Sequence, residues 1–125
     1  MQPASPTESP LTEPADIARR IVDLLADRQA EDVVLLDISR VASFADYFVI
    51  ASAINPRQMR ALVEIMARTL RDGGVRPRHT EGSAGSGWVL ADYGSVIVHL
   101  FSPDMREYYS LEELWQAATP IVRFQ

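Results

Sequence analysis

The stretch Val33-Val-Leu-Leu-Asp-Ile-Ser-Arg-Val-Ala-Ser-Phe-Ala-Asp-Tyr-Phe-Val-Ile50 decides the fold class. Its two ends, Val33 to Leu36 and Tyr47 to Ile50, are apolar at every position, so both alternating faces of each run must be covered. That is the pattern of a central strand packed on two sides, not of an edge strand with one wet face. Between them, Ser39 to Asp46 spans about eight residues, too few for a helical crossover that returns to a parallel neighbour. The two runs are therefore expected to pair antiparallel.

Toward the N-terminus, Ile17, Ile21, Leu24 and Leu25 recur at i, i+4, i+7 and i+8 while Arg19, Arg20, Asp23 and Asp27 fall elsewhere, which predicts a helix from about 15 to 29 with its stripe on the sheet. Residues 1 to 14 carry Pro3, Pro6, Pro10 and Pro14 among Ser, Thr and Glu, and are expected to be a disordered tail. Toward the C-terminus the clearest boundary is Asn55-Pro56, where Asn55 suits a cap, Pro56 the first helical position, and Gln58 the place of a capping-box partner. Met59, Leu62, Val63, Met66 and Leu70 make one stripe, which Gly73 and Gly74 end. This helix feeds a strand expected at Val75 to His79, an arrangement that permits parallel pairing, so the sheet should be mixed.

Thr80-Glu-Gly-Ser-Ala-Gly-Ser-Gly87 has no periodicity and reads as a mobile loop. Trp88 to Ala91 and Val96 to Phe101 then form a hairpin about Asp92, Tyr93 and Gly94. Tyr is a poor host for positive φ, which favours a three-residue turn with Gly94 left-handed over a two-residue loop. The three-residue turn puts Trp88 and Leu90 on the face of Val96, Val98 and Leu100; the two-residue loop flips the assignment and sets Trp88 beside His99. Both registers stand at this point. Ser102-Pro103 opens a further helix, and Ser110 with Glu113 offers a second capping box before Leu111, Leu114, Trp115 and Ala118. The chain is expected to end in helices, giving one α/β (α+β) domain over 15–118 and a C-terminal tail over 119–125.

Size and charge bound what this domain can do. With 125 residues, 47% of them hydrophobic, the chain can close an ordinary core. Cysteine is absent, so disulfides and thiolate metal sites are excluded. The formal charge of -5 sets 17 Asp and Glu against 12 basic residues, all of them Arg. Phosphate backbones repel such a chain, so little direct nucleic-acid binding is expected and a basic protein partner is favoured. No stretch has the length or apolarity of a membrane span, and the first residues lack a signal core, so a cytoplasmic protein is expected.

Catalytic readings each meet a structural alternative. Gly82, Gly85 and Gly87 resemble a phosphate loop, but such a loop leads into a helix N-terminus and this one leads into a strand. His79 and His99 lie on separate predicted strands without metal spacing, and Ser86 and Ser95 sit in a loop and beside a turn, where no nucleophile elbow forms. No catalytic residue, metal or cofactor is expected, and Asp92 reads first as a turn former. The aromatic residues Trp88, Tyr93, Tyr108, Tyr109 and Trp115 cluster among Asp92, Asp104, Glu107, Glu112 and Glu113. Trp115, at helical spacing from Leu111, reads as core; Trp88 reads equally as core or as the aromatic anchor of an interface with a polar rim.

Ser43-Phe-Ala-Asp-Tyr-Phe-Val-Ile50, the run from Trp88 to Phe101, and Tyr108-Tyr-Ser-Leu-Glu-Glu-Leu-Trp115 together resemble the ribosomal silencing factor family, also called RsfS or Iojap-like, in order and spacing from about residue 16 to 117. The resemblance implies a mixed sheet flanked by helices, similar to a nucleotidyltransferase but without its catalytic Gly-Ser and paired aspartates. It implies a repressor that binds the large ribosomal subunit through ribosomal protein uL-fourteen and sterically blocks joining with the small subunit when nutrients are scarce. Carried onto matching positions, it marks Asp46, Tyr47, Trp88, Asp92, His99 and Phe101 for partner binding. Two other classes compete with it: a degenerate nucleotidyltransferase-like enzyme, and a structural homodimer with no ribosomal role.

Overall fold

In the computed structural model, residues 12–115 and 118–124 are described; most of the Pro-rich segment expected as a tail, residues 1–11, lies outside them. The two apolar runs are neighbouring strands. Strand β1 (Glu31–Asp37) and strand β2 (Tyr47–Ser52) pair antiparallel, with Val34 opposite Ile50 and Leu36 opposite Phe48. The link turns on Asp37, whose Oδ1 accepts from the Ser39 hydroxyl at 2.6 Å and the Ser39 N–H at 2.9 Å. These two bonds, the hydroxyl first, hold the Asp37 carboxyl below the usual carboxylate range.

Helix α1 (Pro14–Asp27) precedes β1 and buries Ile17, Ala18, Ile21, Val22 and Leu25. Helix α2 (Pro56–Asp72) follows β2 and buries Met59, Leu62, Met66 and Leu70. Its cap is as the sequence suggests, with Asn55 Oδ1 accepting the Gln58 N–H at 2.8 Å. Gln58 returns the contact one residue earlier than a standard capping box, its Oε1 accepting from the Ile54 N–H at 2.7 Å, while its Nε2 donates to the Gln29 carbonyl at 3.1 Å.

The sheet is mixed, but its parallel pair is not the one expected. Val75 to Arg78 is a connector because Pro77 cannot donate to a ladder. Strand β3 starts at His79 and runs to Ser83, in the stretch expected as a mobile loop, and a 3₁₀ turn over Ala84–Ser86 follows. Glycine here serves close approach: Gly82 sits at φ +83°, and a Cβ there would fall 2.1 Å from the Trp88 carbonyl oxygen. Strand β4 (Trp88–Asp92) pairs antiparallel with β3 and with β5 (Val96–Phe101), and β5 lies parallel to β2, Tyr47 opposite Val96 and Ser52 opposite Phe101.

The hairpin takes the two-residue form. Tyr93 N–H donates to the Val96 carbonyl at 2.9 Å, leaving Gly94 and Ser95 as the loop, with Gly94 at φ +87°. The favoured three-residue turn fails because a two-residue loop shifted one place along puts Gly, not Tyr, at the first central position, where positive φ is needed. Trp88 then faces Phe101 and Leu90 faces His99.

Beyond β5, Ser102 Oγ accepts the Met105 N–H at 3.2 Å and caps helix α3 (Pro103–Tyr109). The second capping box does not form: Ser110, at φ 45°, turns its hydroxyl back to the Glu107 carbonyl at 2.6 Å, and helix α4 (Leu111–Leu114) is one turn long. Nor does the chain end in helices and a tail. Thr119–Phe124 forms strand β6, antiparallel to β1, because the outer edge of β1 offers backbone partners that six residues containing Pro120 and Arg123 do not advertise by pattern. The sheet order is β3-β4-β5-β2-β1-β6.

Candidate functional site

Pairing and pleat sort the sheet into two faces. Val33, Leu35, Val49, Ala51, Val89, Val98 and Leu100 meet α1 and α2 in one aliphatic cluster. Val34, Leu36, Phe48, Ile50, Ile97 and Phe101 point the other way, beneath the short helices and the 38–45 link. On this second face β4 and β5 bring Trp88, Leu90, His99 and Phe101 together, as two strands in the observed register must.

Trp88 is half-buried. Its ring lies 4.6 Å from that of Tyr109 and 5.4 Å from that of Phe101, near-parallel to the latter. Its indole N–H donates to His99 Nδ1 at 3.4 Å, a long bond. His99 is 4% exposed, with Phe48 edge-on at 4.8 Å, and burial pushes its pKa down to about 4. The ring is thus neutral at pH 7, Nδ1 accepting and Nε2 carrying the proton, and Nε2 finds no partner among the described residues. Beside Trp88 lies a cavity of about 250 Å³ lined by Glu81, Gly82, Ser86, Leu90, Met105 and Tyr109. Its wall is mostly apolar, and Glu81 at its mouth is exposed.

Of the six residues marked in the sequence, the structure brings Trp88, His99 and Phe101 into one cluster and leaves three elsewhere. Phe101 is fully buried and His99 nearly so; both support the Trp88 ring from below. Asp92 stands at the far end of β4, about 13 Å along the strand from Trp88. Its Oδ1 accepts the Gly94 N–H at 2.7 Å, the turn role first assigned to it. Asp46 and Tyr47 lie at that same end through their backbone, both N–H groups donating to the Ser95 carbonyl at 2.8 and 3.0 Å. The Tyr47 side chain packs against the aliphatic cluster, on the opposite face from Trp88.

One participant, Met105, was missed in sequence, and another, Tyr109, was named among the clustered aromatic residues without being marked for partner binding. Met105 and Tyr109, one helical turn apart on α3, close the cavity, and their i, i+4 spacing after Ser102-Pro103 was the available signal. Arg106, between them, is buried. It donates to Glu112 Oε1 at 2.9 Å, Ser52 Oγ at 3.0 Å and the Asp32 carbonyl at 2.9 Å, and lies 3.3 Å from Asp32 Oδ2. This clasp pins α3 and α4 onto the bulged start of β1, where Asp32 sits at φ 47°. Nothing in the local pattern distinguishes Arg106 from a solvated arginine. Among the described residues no group of three or more His, Asp or Glu side chains is placed to share a metal ion.

Known proteins share both sequence and fold with this chain. The family described as "Ribosomal silencing factor during starvation" matches residues 11–125. Ribosomal silencing factor RsfS of Zymomonas mobilis is 33% identical over 114 residues, 90% of this chain and 86% of the relative. That of Bacillus subtilis is 37% identical over 89 residues, 71% and 75%. A mouse relative named "Mitochondrial assembly of ribosomal large subunit protein 1" is 32% identical over 76% of this chain and 43% of its own length. A crystal structure of a Chromobacterium violaceum protein superposes with a TM-score of 0.80 at 32% identity, covering 84% of this chain and 88% of that one. The family match over residues 11–125 and these likenesses in sequence and fold agree: the chain belongs to the ribosomal silencing factor family.

Proposed function

We propose that this chain binds the large ribosomal subunit through ribosomal protein uL-fourteen, in the cytoplasm, and blocks joining with the small subunit sterically when nutrients are scarce. Family membership supplies the ribosomal context, and the name of the mouse relative points to the large subunit. The observation that carries the reading to a surface is the half-open aromatic face: Trp88 stands over a buried platform of His99 and Phe101, beside an apolar cavity with an acidic mouth. An anchor of this kind, rigid beneath and exposed at one edge, is what interface hot spots share. The excess of 17 acidic over 12 basic side chains suits a basic ribosomal protein. In this arrangement Trp88 touches the partner, while His99 and Phe101 act through it and Asp46 and Asp92 steer from the turn end.

The mechanism asks nothing of chemistry: occupying the joining face excludes the small subunit. The test is sedimentation of the full chain with purified subunits. Co-migration with free large subunits, exclusion from joined ribosomes, and a fall in the joined fraction as the chain is added are expected. Equal migration with joined ribosomes would defeat the steric mechanism.

A further inference from the structure

We propose that the outer edge of β3 takes up an extended strand from the basic large-subunit protein, one apolar side chain of that strand entering the cavity beside Trp88. The proposal rests on the large-subunit reading above and specifies how the partner is held.

Three observations converge on it. Among the described residues β3 pairs only with β4, and all five of its residues, His79 to Ser83, are exposed. An edge strand so placed presents a row of unpaired backbone donors and acceptors, the template for adding a strand. Second, a cavity lies on each side of this edge, and Gly82 lines both. One is the 250 Å³ cavity walled by Trp88, Leu90, Met105 and Tyr109; the other, about 190 Å³, lies between Val63, Ala84 and Val89. Alternate side chains of an added strand point to opposite faces, so one strand fills both. Third, the charges differ between the two sides. The mouth on the Trp88 side is acidic: Glu81 stands there, Asp104 and Glu107 are exposed on α3, and the one cation of that helix, Arg106, is turned inward and neutralised by Asp32 and Glu112. The other side carries Arg60 and Glu64 together.

These features select among occupants. A second copy adding through its own β3 would bring His-Thr-Glu-Gly-Ser, which has no large apolar side chain to fill either cavity. RNA would meet Glu81, Asp104 and Glu107. A protein strand that alternates apolar residues and carries Arg or Lys near Glu81 satisfies both the cavities and the charge.

The experiment follows amide hydrogen exchange in the full chain, alone and with purified large subunits. Slowed exchange of at least tenfold in the complex is expected at the amides between Thr80 and Gly82 that face the outer edge, with α1 and α2 unchanged. Two variants accompany it, Thr80→Pro and Glu81→Pro. Adjacent amides point to opposite sides of a strand, so only one of the two removes a donor from the outer edge. That variant should keep the wild-type melting temperature and lose at least tenfold in subunit affinity. A complex in which the β3 amides exchange at their free rate overturns the proposal, as does full affinity in both variants. Equal protection by protein-free large-subunit RNA also overturns it. Absence of any complex with the wild-type chain removes the large-subunit reading itself, and the strand with it.

Discussion

The two faces of the sheet are built from different materials. Under α1 and α2 the packing is dry in the sense of being almost wholly aliphatic, Tyr93 being the one aromatic among its buried residues: Val33, Leu35, Val49, Val98 and Leu100 meet Ile21, Leu25, Met66 and Leu70, all nearly or fully buried. The other face is aromatic, and all three buried polar side chains found among the described residues, Ser52, His99 and Arg106, lie on it or at its rim. Two long helices close the first face; two short ones and a clasp leave the second part-open beside Trp88. Stability and recognition are thereby separated by the thickness of one sheet, since a dry aliphatic layer stabilises without offering specificity and a half-covered aromatic layer does the reverse.

The separation is sharpened most by removing a side chain from the dry face. Leu100→Ala should cost about 3 to 4 kcal/mol of folding stability, read by denaturant unfolding, because a fully buried leucine leaves a cavity there. Its affinity for large subunits should be unchanged wherever it stays folded; a parallel loss of affinity would show that the faces are coupled. Next comes acid. His99 titrates near 4 when folded, below its unfolded value of about 6.5. The unfolded chain therefore takes up the proton first as pH falls. The contribution is intact above about pH 6.5 and is lost between there and about pH 4, roughly 3 kcal/mol in all. Comparing the wild type with His99→Phe by unfolding across that window isolates it, and a stability difference that does not vary with pH would contradict a neutral buried imidazole.

Smaller in stability but larger in consequence is Trp88→Ala, which should weaken large-subunit binding by about 2 kcal/mol or more. Its melting temperature should fall less than that of Leu100→Ala, since Trp88 is only partly buried whereas Leu100 is fully so. A severe loss of stability with binding intact would return Trp88 to the core. The smallest effect belongs to the turn. Asp92→Ala should cost about 1 kcal/mol of stability by freeing the Gly94 N–H, whereas Asp92→Asn keeps an oxygen there and should cost almost none. Any loss of subunit affinity in the Asn variant then reports the charge alone.

What the sequence revealed follows how local the determining physics is. Ile17 to Leu25 and Met59 to Leu70 are periodic, and Asn55-Pro56 is a cap written within four residues, so both long helices and the dry face were legible. The antiparallel β1–β2 pair followed from chain length alone. By contrast β3 consists of polar and small residues, and β6 joins residues near opposite ends of the domain, so neither declares itself in a short window. The hairpin register turned on which of two adjacent residues, Tyr93 or Gly94, takes the positive φ. In the candidate site, Trp88 was visible through its neighbours His99 and Phe101 once the register was known. Arg106 was not, because its partners Asp32, Ser52 and Glu112 come from three other elements.

The pairing of β6 with β1 also dictates an order of events. Leu35 meets Val122, so the outer edge of β1 cannot be covered until nearly the whole domain has been synthesised. The parallel β2–β5 pair likewise waits for α2, β3 and β4. Contacts of such long sequence separation slow folding, because the loop must be closed before the contact rewards it. While it emerges from the ribosome, the nascent chain therefore carries an apolar strand with a naked edge, the kind of intermediate that aggregates or recruits a chaperone.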